Sequence, residues 1–120
     1  MTGAALVVYG IHMSYYNGSF NGNHDWAKAN LDMCLTEDED VAKNYGKVII
    51  EGDLPEDLVF EECEDYDRDT NCAEADSEEF RAARRAAGVD VLVYEDEDER
   101  GNSHTCYRMI SQAAIDAFFA

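Results

Sequence analysis

The alternating carboxylates of DYDRDTN, residues 65–71, have the spacing of a cation-binding loop. An EF-hand calcium loop begins with the same alternation of acidic side chains. Its sixth position needs glycine but holds Thr70 here, and its twelfth position holds Asp76 where a bidentate glutamate is usual. We therefore expect no more than weak, adventitious cation binding at this stretch.

The histidines and cysteines show neither metal-ligand nor redox spacing. The three histidines lie far apart in the sequence, so a structural role is expected for each: His12, His24 and His104. The cysteines form no CxxC pair, and the closest two are nine positions apart: Cys34, Cys63, Cys72 and Cys106. We expect free, partly buried thiols, with a disulfide framework as the lesser alternative because the count is even.

Apolar and alternating segments predict the strands that position these residues. The run AALVVY indicates a buried first strand over 4–12, and HTCYRMI is the alternating partner of VDVLVYE across an acidic turn at Gly101. Two further strands flank the single proline, Pro55. The predicted strands are 4–12, 47–51, 57–60, 89–95 and 104–110.

Capping signals predict the helices and the loops between them. The aromatic, glycine-rich stretch 14–23 is expected to be a loop before a short helix over HDWAKANL, and the acidic stretch 61–76 a second loop. The predicted helix starts, with one C-cap, are Thr36 with Glu39 (through about Tyr45), Asp76 with Glu79 (ending at Gly88) and Ser111. This order of elements predicts one α+β domain over residues 1–120 with a mainly antiparallel sheet.

The charge of the chain is strongly acidic and unevenly distributed. The sequence has 27 Asp and Glu against 9 Lys and Arg, a formal charge of −18, and residues 37–99 contain 24 of the acids and 6 of the bases. Such a charge opposes direct binding to nucleic acids or anionic membranes. The N-terminus lacks the basic region of a signal peptide, and its apolar run is too short to span a membrane, so a soluble cytoplasmic protein is expected.

Three acidic runs, at 37–40, 61–69 and 95–99, carry this excess. Each is consistent with a solvated surface, and together they also fit a salt-adapted protein or an imitation of duplex DNA. The imitation hypothesis places a basic nucleic-acid-binding protein or complex against an acidic face. Its candidate partner-binding residues are Glu61, Glu62, Glu64, Asp65, Asp67, Asp98 and Glu99.

The order of motifs resembles the ADP-ribosyltransferase-like superfamily, including its small anti-CRISPR members. The motifs run in order along nearly the whole chain: a first strand ending VVYG, LTEDEDVAKNYG, KVIIEGDLPEDLVF, FRAARRAAGVDVLVYEDE and SHTCYRMISQAAI. The resemblance implies a split sheet with NAD in the cleft between its halves. It also implies transfer of ADP-ribose from NAD to a partner protein.

Carrying the family's site over residue by residue gives the candidate site. Tyr9 and Gly10 stand where the family has Arg or His before Gly, with His12 in a shifted register; Thr36 matches the Ser or Thr at a strand end. Tyr45 matches the aromatic residue that walls the nicotinamide pocket.

The catalytic carboxylate of the family lies in the loop after the strand that GVDVLVYE matches here. Asp96 is the preferred match and Glu97 the second, and a carboxylate there would stabilise the cationic ribosyl centre as nicotinamide leaves. The leading hypothesis is thus an NAD-dependent ADP-ribosyltransferase. The alternative hypothesis is a DNA-mimic inhibitor without enzymatic activity.

Overall fold

The computed structural model describes residues 14–120. The predicted first strand, 4–12, and the candidate cofactor residues Tyr9, Gly10 and His12 lie outside the described residues. Within the described part the chain is an α+β domain, as the order of elements predicts.

Six strands form two sheets in residues 14–120: β1 (Tyr15–Ser19), β2 (Met33–Leu35), β3 (Val48–Gly52), β4 (Phe60–Glu62), β5 (Val91–Glu97) and β6 (Ser103–Met109). β1 and β3 pair antiparallel in a small sheet, and the other four lie in the order β2-β6-β5-β4. The described helices are α1 (Asp25–Asn30), α2 (Glu39–Ala42), α3 (Glu78–Ala86) and α4 (Gln112–Phe119), with a 3₁₀ turn at Glu74–Asp76. None of the helices in this part of the chain is long and apolar enough to cross a membrane.

The hairpin of β5 and β6 confirms the predicted pair of alternating strands. Its register runs from Val91 opposite Met109 to Glu97 opposite Ser103, around a turn in which Gly101 has φ +80°. A left-handed conformation of this kind favours glycine because a Cβ atom would strain the backbone. The register places Asp96 directly opposite His104.

Two predicted loops contain strands instead. Tyr15–Ser19 is β1, because Tyr15 is fully buried and its strand pairs with β3, so Asn17–Gly18 is not a turn. The prediction for 57–76 is also wrong in part, since β4 begins at Phe60 and runs parallel to β5. Glu61 can lie in this strand because Arg84 of α3 binds its carboxylate with two hydrogen bonds of 2.6 Å.

The helix caps confirm some of the predictions and correct others. Ser111 caps α4 by accepting the Ala114 N–H, and Gly88 has φ +91° after α3, both as predicted. Ser77, not Asp76, caps α3.

The second helix is shorter than the sequence predicts. α2 has only four residues and is capped by Asp38, whose side chain accepts the Asp40 N–H, so the predicted capping box of Thr36 and Glu39 is wrong. Thr36 instead exchanges backbone hydrogen bonds of 2.7 and 2.9 Å with Tyr16. This bridge joins the small sheet to β2, and Tyr45 follows the helix.

The four-stranded sheet carries a hydrophobic cluster on each face. One face packs against β1 and α4, with Tyr15, Phe118 and Met109 in its core. The opposite face packs under the segment that leads into α3, with Leu92, Tyr94 and Cys106 buried there. The alternation of β5 and β6 thus supplies both cores and sets which polar side chains emerge near the hairpin end.

Candidate functional site

A pocket of about 130 Å³ lies where β1, β2, α2 and the β5–β6 hairpin meet. An engineered protein cavity of about 150 Å³ binds benzene, so this pocket has room for roughly one aromatic ring. A dinucleotide bound here would therefore have to extend beyond it. The lining residues include Asn17, Cys34, Thr36, Tyr45, Asp96 and His104.

Asp96 reaches this pocket because successive side chains of β5 point to opposite faces of the sheet. Glu97, the second catalytic candidate, points the other way and forms an ion pair of 2.9 Å with Arg68. Asp96 is half-buried, and this burial raises the pKa of its carboxyl group, while the Glu97 N–H and His104 act in the opposite direction. The structure therefore separates the two adjacent candidates and brings only Asp96 to the pocket.

Tyr45 and His104 form one wall of the pocket. The Tyr45 hydroxyl and His104 Nε2 share a hydrogen bond of 2.7 Å, and the two rings meet edge to face with centroids 5.8 Å apart. Burial and the nearby Asp96 raise the pKa of the Tyr45 hydroxyl, so it stays protonated at neutral pH. Tyr45 is still 46% exposed, so one side of the aromatic wall is open to solvent.

Thr36 lines the same pocket from the end of β2. It is 6% exposed, and its Oγ1 accepts the Asp38 N–H at 3.2 Å. Its hydroxyl proton is not used by this bond, because the oxygen acts there as the acceptor. Thr36, Tyr45 and Asp96, three candidates from different segments of the sequence, thus converge on one pocket.

The sequence interpretation missed His104, Cys34 and Asn17 as pocket residues. His104 was expected to be structural, yet the hairpin register alone would place it beside Asp96 once the turn at Gly101 is recognised. Cys34 precedes Thr36 by two residues on the same strand, so the two share a face. Asn17 donates to the Cys34 carbonyl at 2.9 Å, a contact without a sequence signal because β1 was taken as a loop.

The acidic candidates for partner binding lie along the opposite edge of the hairpin. The Tyr66 N–H donates to the Glu95 carbonyl at 2.8 Å, and the Glu95 N–H donates to Asp65 Oδ1 at 2.9 Å. These bonds align the run 61–69 with the run 95–99. The two runs, distant in sequence, therefore form one acidic edge.

Several of these carboxylates already have partners within the chain. Glu61 and Glu97 bind arginines, and Asp98 organises the hairpin turn by accepting the N–H groups of Asn102 and Arg100, which lower the pKa of its carboxyl group. Asp67 accepts the Asp69 N–H at 2.8 Å, so the alternating acids of the calcium-like stretch shape a turn. Glu62, Glu64 and Glu99 are exposed on the same edge or at the hairpin tip.

No protein-family model, curated protein or solved structure matches this chain, so its site is interpreted from its own residues.

Proposed function

We propose that the chain is a small cytoplasmic ADP-ribosyltransferase-like protein that holds the nicotinamide end of NAD in the pocket and transfers ADP-ribose to a partner protein. The observation that supports this is the convergence of Thr36, Tyr45 and Asp96 on a pocket lined by both sheets. Its volume suits one aromatic ring, such as nicotinamide.

Each residue has a role in that reaction. The Tyr45 ring would pack against nicotinamide, and the Thr36 hydroxyl would donate to a polar group of the ligand. The bond between nicotinamide and the ribose breaks, its electron pair leaves with nicotinamide, and Asp96 stabilises the positive charge that develops on the ribose. A half-buried carboxylate interacts more strongly with that charge than one in bulk water. A nucleophile of the partner then forms the new bond to the ribose and loses its proton to solvent.

The test is a calorimetric titration with NAD together with an assay for released nicotinamide, in the wild type and in Asp96→Asn. We expect NAD binding in both proteins and nicotinamide release only in the wild type, because the amide fits the pocket but carries no charge. Glu99→Gln, an equal loss of charge at the exposed hairpin tip, is the matched control and should retain release. Absence of both heat and release at millimolar NAD would refute the proposal.

A second candidate function is supported by the continuous acidic edge of 61–69 and 95–99. Duplex DNA carries one negative charge per about 1.7 Å of axis, and aligned carboxylates can approximate that field toward a basic groove. In this hypothesis the chain blocks a basic nucleic-acid-binding protein or complex without using NAD.

The test for this second function measures capture of immobilised basic nucleic-acid-binding proteins at increasing salt. Neutralising Glu64, Asp67 and Glu99 with Gln or Asn should weaken capture, because association is steered by charge and screened over about 8 Å at physiological salt. Glu51, Glu56 and Asp57, exposed acids outside the edge, give the matched control. An equal effect of both triple variants would argue against a specific edge.

A further inference from the structure

Two of the four free cysteines lie side by side at the floor of the pocket. Cys34 on β2 is directly opposite Arg108 on β6, so Cys106, two residues before Arg108, is its diagonal neighbour on the same face. The two thiols form a hydrogen bond with each other. The fold therefore brings together two sulfur atoms that are 72 residues apart in sequence.

The two thiols differ in access. Cys34 is exposed on the pocket side, whereas Cys106 is 1% exposed and lies behind it. A small reagent that enters the pocket meets Cys34 first, and Cys106 is then within reach of whatever forms on Cys34. This is the arrangement of an attacking thiol and a resolving thiol.

The surroundings favour Cys34 as the thiolate of the pair. The hydrogen bond from Cys106 lowers the pKa of Cys34 and the Arg108 guanidinium adds to this effect, while burial, Asp32 and Asp96 oppose it. The same bond raises the pKa of Cys106, which keeps its proton. A thiolate with an adjacent thiol is the reactive form toward oxidants.

The other two cysteines lack these features and serve as internal references. Cys63 lies among acidic side chains, and burial together with Glu74 raises its pKa to about 12. Cys72 is exposed in the acidic turn, where its thiol donates to Thr70 Oγ1 at 3.4 Å. Exposure alone therefore does not distinguish Cys34 from Cys72, but the neighbouring thiol and guanidinium do.

We propose that Cys34 and Cys106 are a redox-active thiol pair that small peroxides oxidise through the pocket. The Cys34 thiolate attacks one peroxide oxygen, the O–O bond breaks, and Cys34 becomes a sulfenic acid as hydroxide or alkoxide leaves. The Cys106 sulfur then attacks the Cys34 sulfur, and the sulfenic oxygen leaves as water with the Cys106 proton. The peroxide is reduced by two electrons and the two thiols are oxidised to one disulfide.

The disulfide would be a strained and easily reduced one. Diagonal positions on paired strands have Cα atoms about 7–8 Å apart, somewhat more than an unstrained disulfide spans. Closing the bond draws the three-residue strand β2 toward β6, and strained disulfides have the higher reduction potentials of reversible switches. The pair is thus suited to reversible oxidation that alters the pocket floor.

The experiment treats the full chain with one equivalent of hydrogen peroxide, counts free thiols and maps cross-linked peptides by mass spectrometry. The wild type should lose two of its four thiols and yield a Cys34–Cys106 peptide that dithiothreitol reverses. Cys106→Ser and Cys106→Ala should give a Cys34 sulfenic acid trapped by dimedone, with no cross-link. Two variants are used because Cys106 is buried, and circular dichroism checks that each is folded.

The control variants separate this pair from general thiol oxidation. Cys72→Ser should still lose two thiols and form the cross-link, whereas Cys34→Ser should keep all three of its remaining thiols. Dimedone labelling of Cys72 as fast as that of Cys34 would overturn the proposal. A cross-link between Cys63 and Cys72 in its place would do the same.

Discussion

Asp96 is a carboxylate whose placement is unfavourable to the folded protein but useful for the proposed chemistry. Its raised pKa, caused mainly by burial, means that ionising it costs more in the folded state than in the unfolded chain. A group that reduces stability in this way is commonly found in functional sites. Its partner across the hairpin, His104, only partly offsets the cost.

This cost predicts a pH-dependent stability difference between the wild type and Asp96→Asn. Below about pH 3.8, the ordinary carboxyl pKa, both states of the wild type are protonated and the variants differ little. As the pH rises through the raised folded pKa, the wild type loses stability that the neutral amide keeps. Thermal melts from pH 3 to pH 7 should therefore show Asp96→Asn gaining relative stability with pH.

A constant difference between the two proteins at every pH would contradict this assignment of the raised pKa. Glu99→Gln is again the control, because its carboxylate is exposed. Its difference from the wild type should stay small across the range.

Among the elements, α2 depends on a close approach to β1 at Gly18. A Cβ atom at this position would lie 1.8 Å from the Ala42 carbonyl oxygen, which is the backbone at the end of α2. Because backbone cannot rotate aside as a side chain can, any larger residue must push α2 away from β1. The pocket, which both Gly18 and Ala42 line, would change with it.

Gly18→Ala is therefore expected to lower the melting temperature and to weaken ligand binding in the pocket. Gly88→Ala is the matched control, since its Cβ would meet no atom within 4 Å and its cost comes only from φ +91°, about 1 kcal/mol. Calorimetry of both variants would separate steric displacement from backbone strain. Equal losses of binding would show that the approach at Gly18 is unimportant.

The elements also show which parts of the fold the sequence could predict. β5, β6 and α4 follow from alternation, Gly101 and the Ser111 cap, which are local signals. β1 could not be recognised, because the burial of Tyr15 depends on partners far along the chain. β4 carries Glu61 and Glu62, and its charge fits a strand only when Arg84 of α3 is in place.

The candidate site was predictable to a similar extent. Thr36, Tyr45 and Asp96 were selected through a family resemblance, and the structure places them in one pocket. Choosing between Asp96 and Glu97 needed the facing of β5, which the acidic sequence around them does not reveal. His104 and Cys34 became visible only with the register of β6.

On the scale of the whole molecule, the positive side chains are largely used inside the fold. Arg108 and Arg81 both pair with the buried Asp32, and Arg84 and Arg68 bind acids beside the sheet. The acidic excess of the sequence therefore remains mostly uncompensated at the surface. Repulsion between these carboxylates opposes the compact state when salt is low.

We expect the midpoint of chemical unfolding to rise as sodium chloride increases from about 10 mM, where the Debye length is about 30 Å, to 1 M, where it is about 3 Å. Urea should be the denaturant, because guanidinium would itself screen the charges. The triple variant of Glu64, Asp67 and Glu99 should show a shallower salt dependence. A flat response of the wild type would contradict self-repulsion as a dominant cost.

The parallel pairing of β4 with β5 has a consequence for the order of folding. The β5–β6 hairpin closes over a short turn, whereas β4 can pair with β5 only after the 28 residues between them have crossed over. Closing a longer loop costs more entropy, and non-local contacts form later. Substitutions in the hairpin should therefore slow folding, and substitutions in β4 should mainly accelerate unfolding.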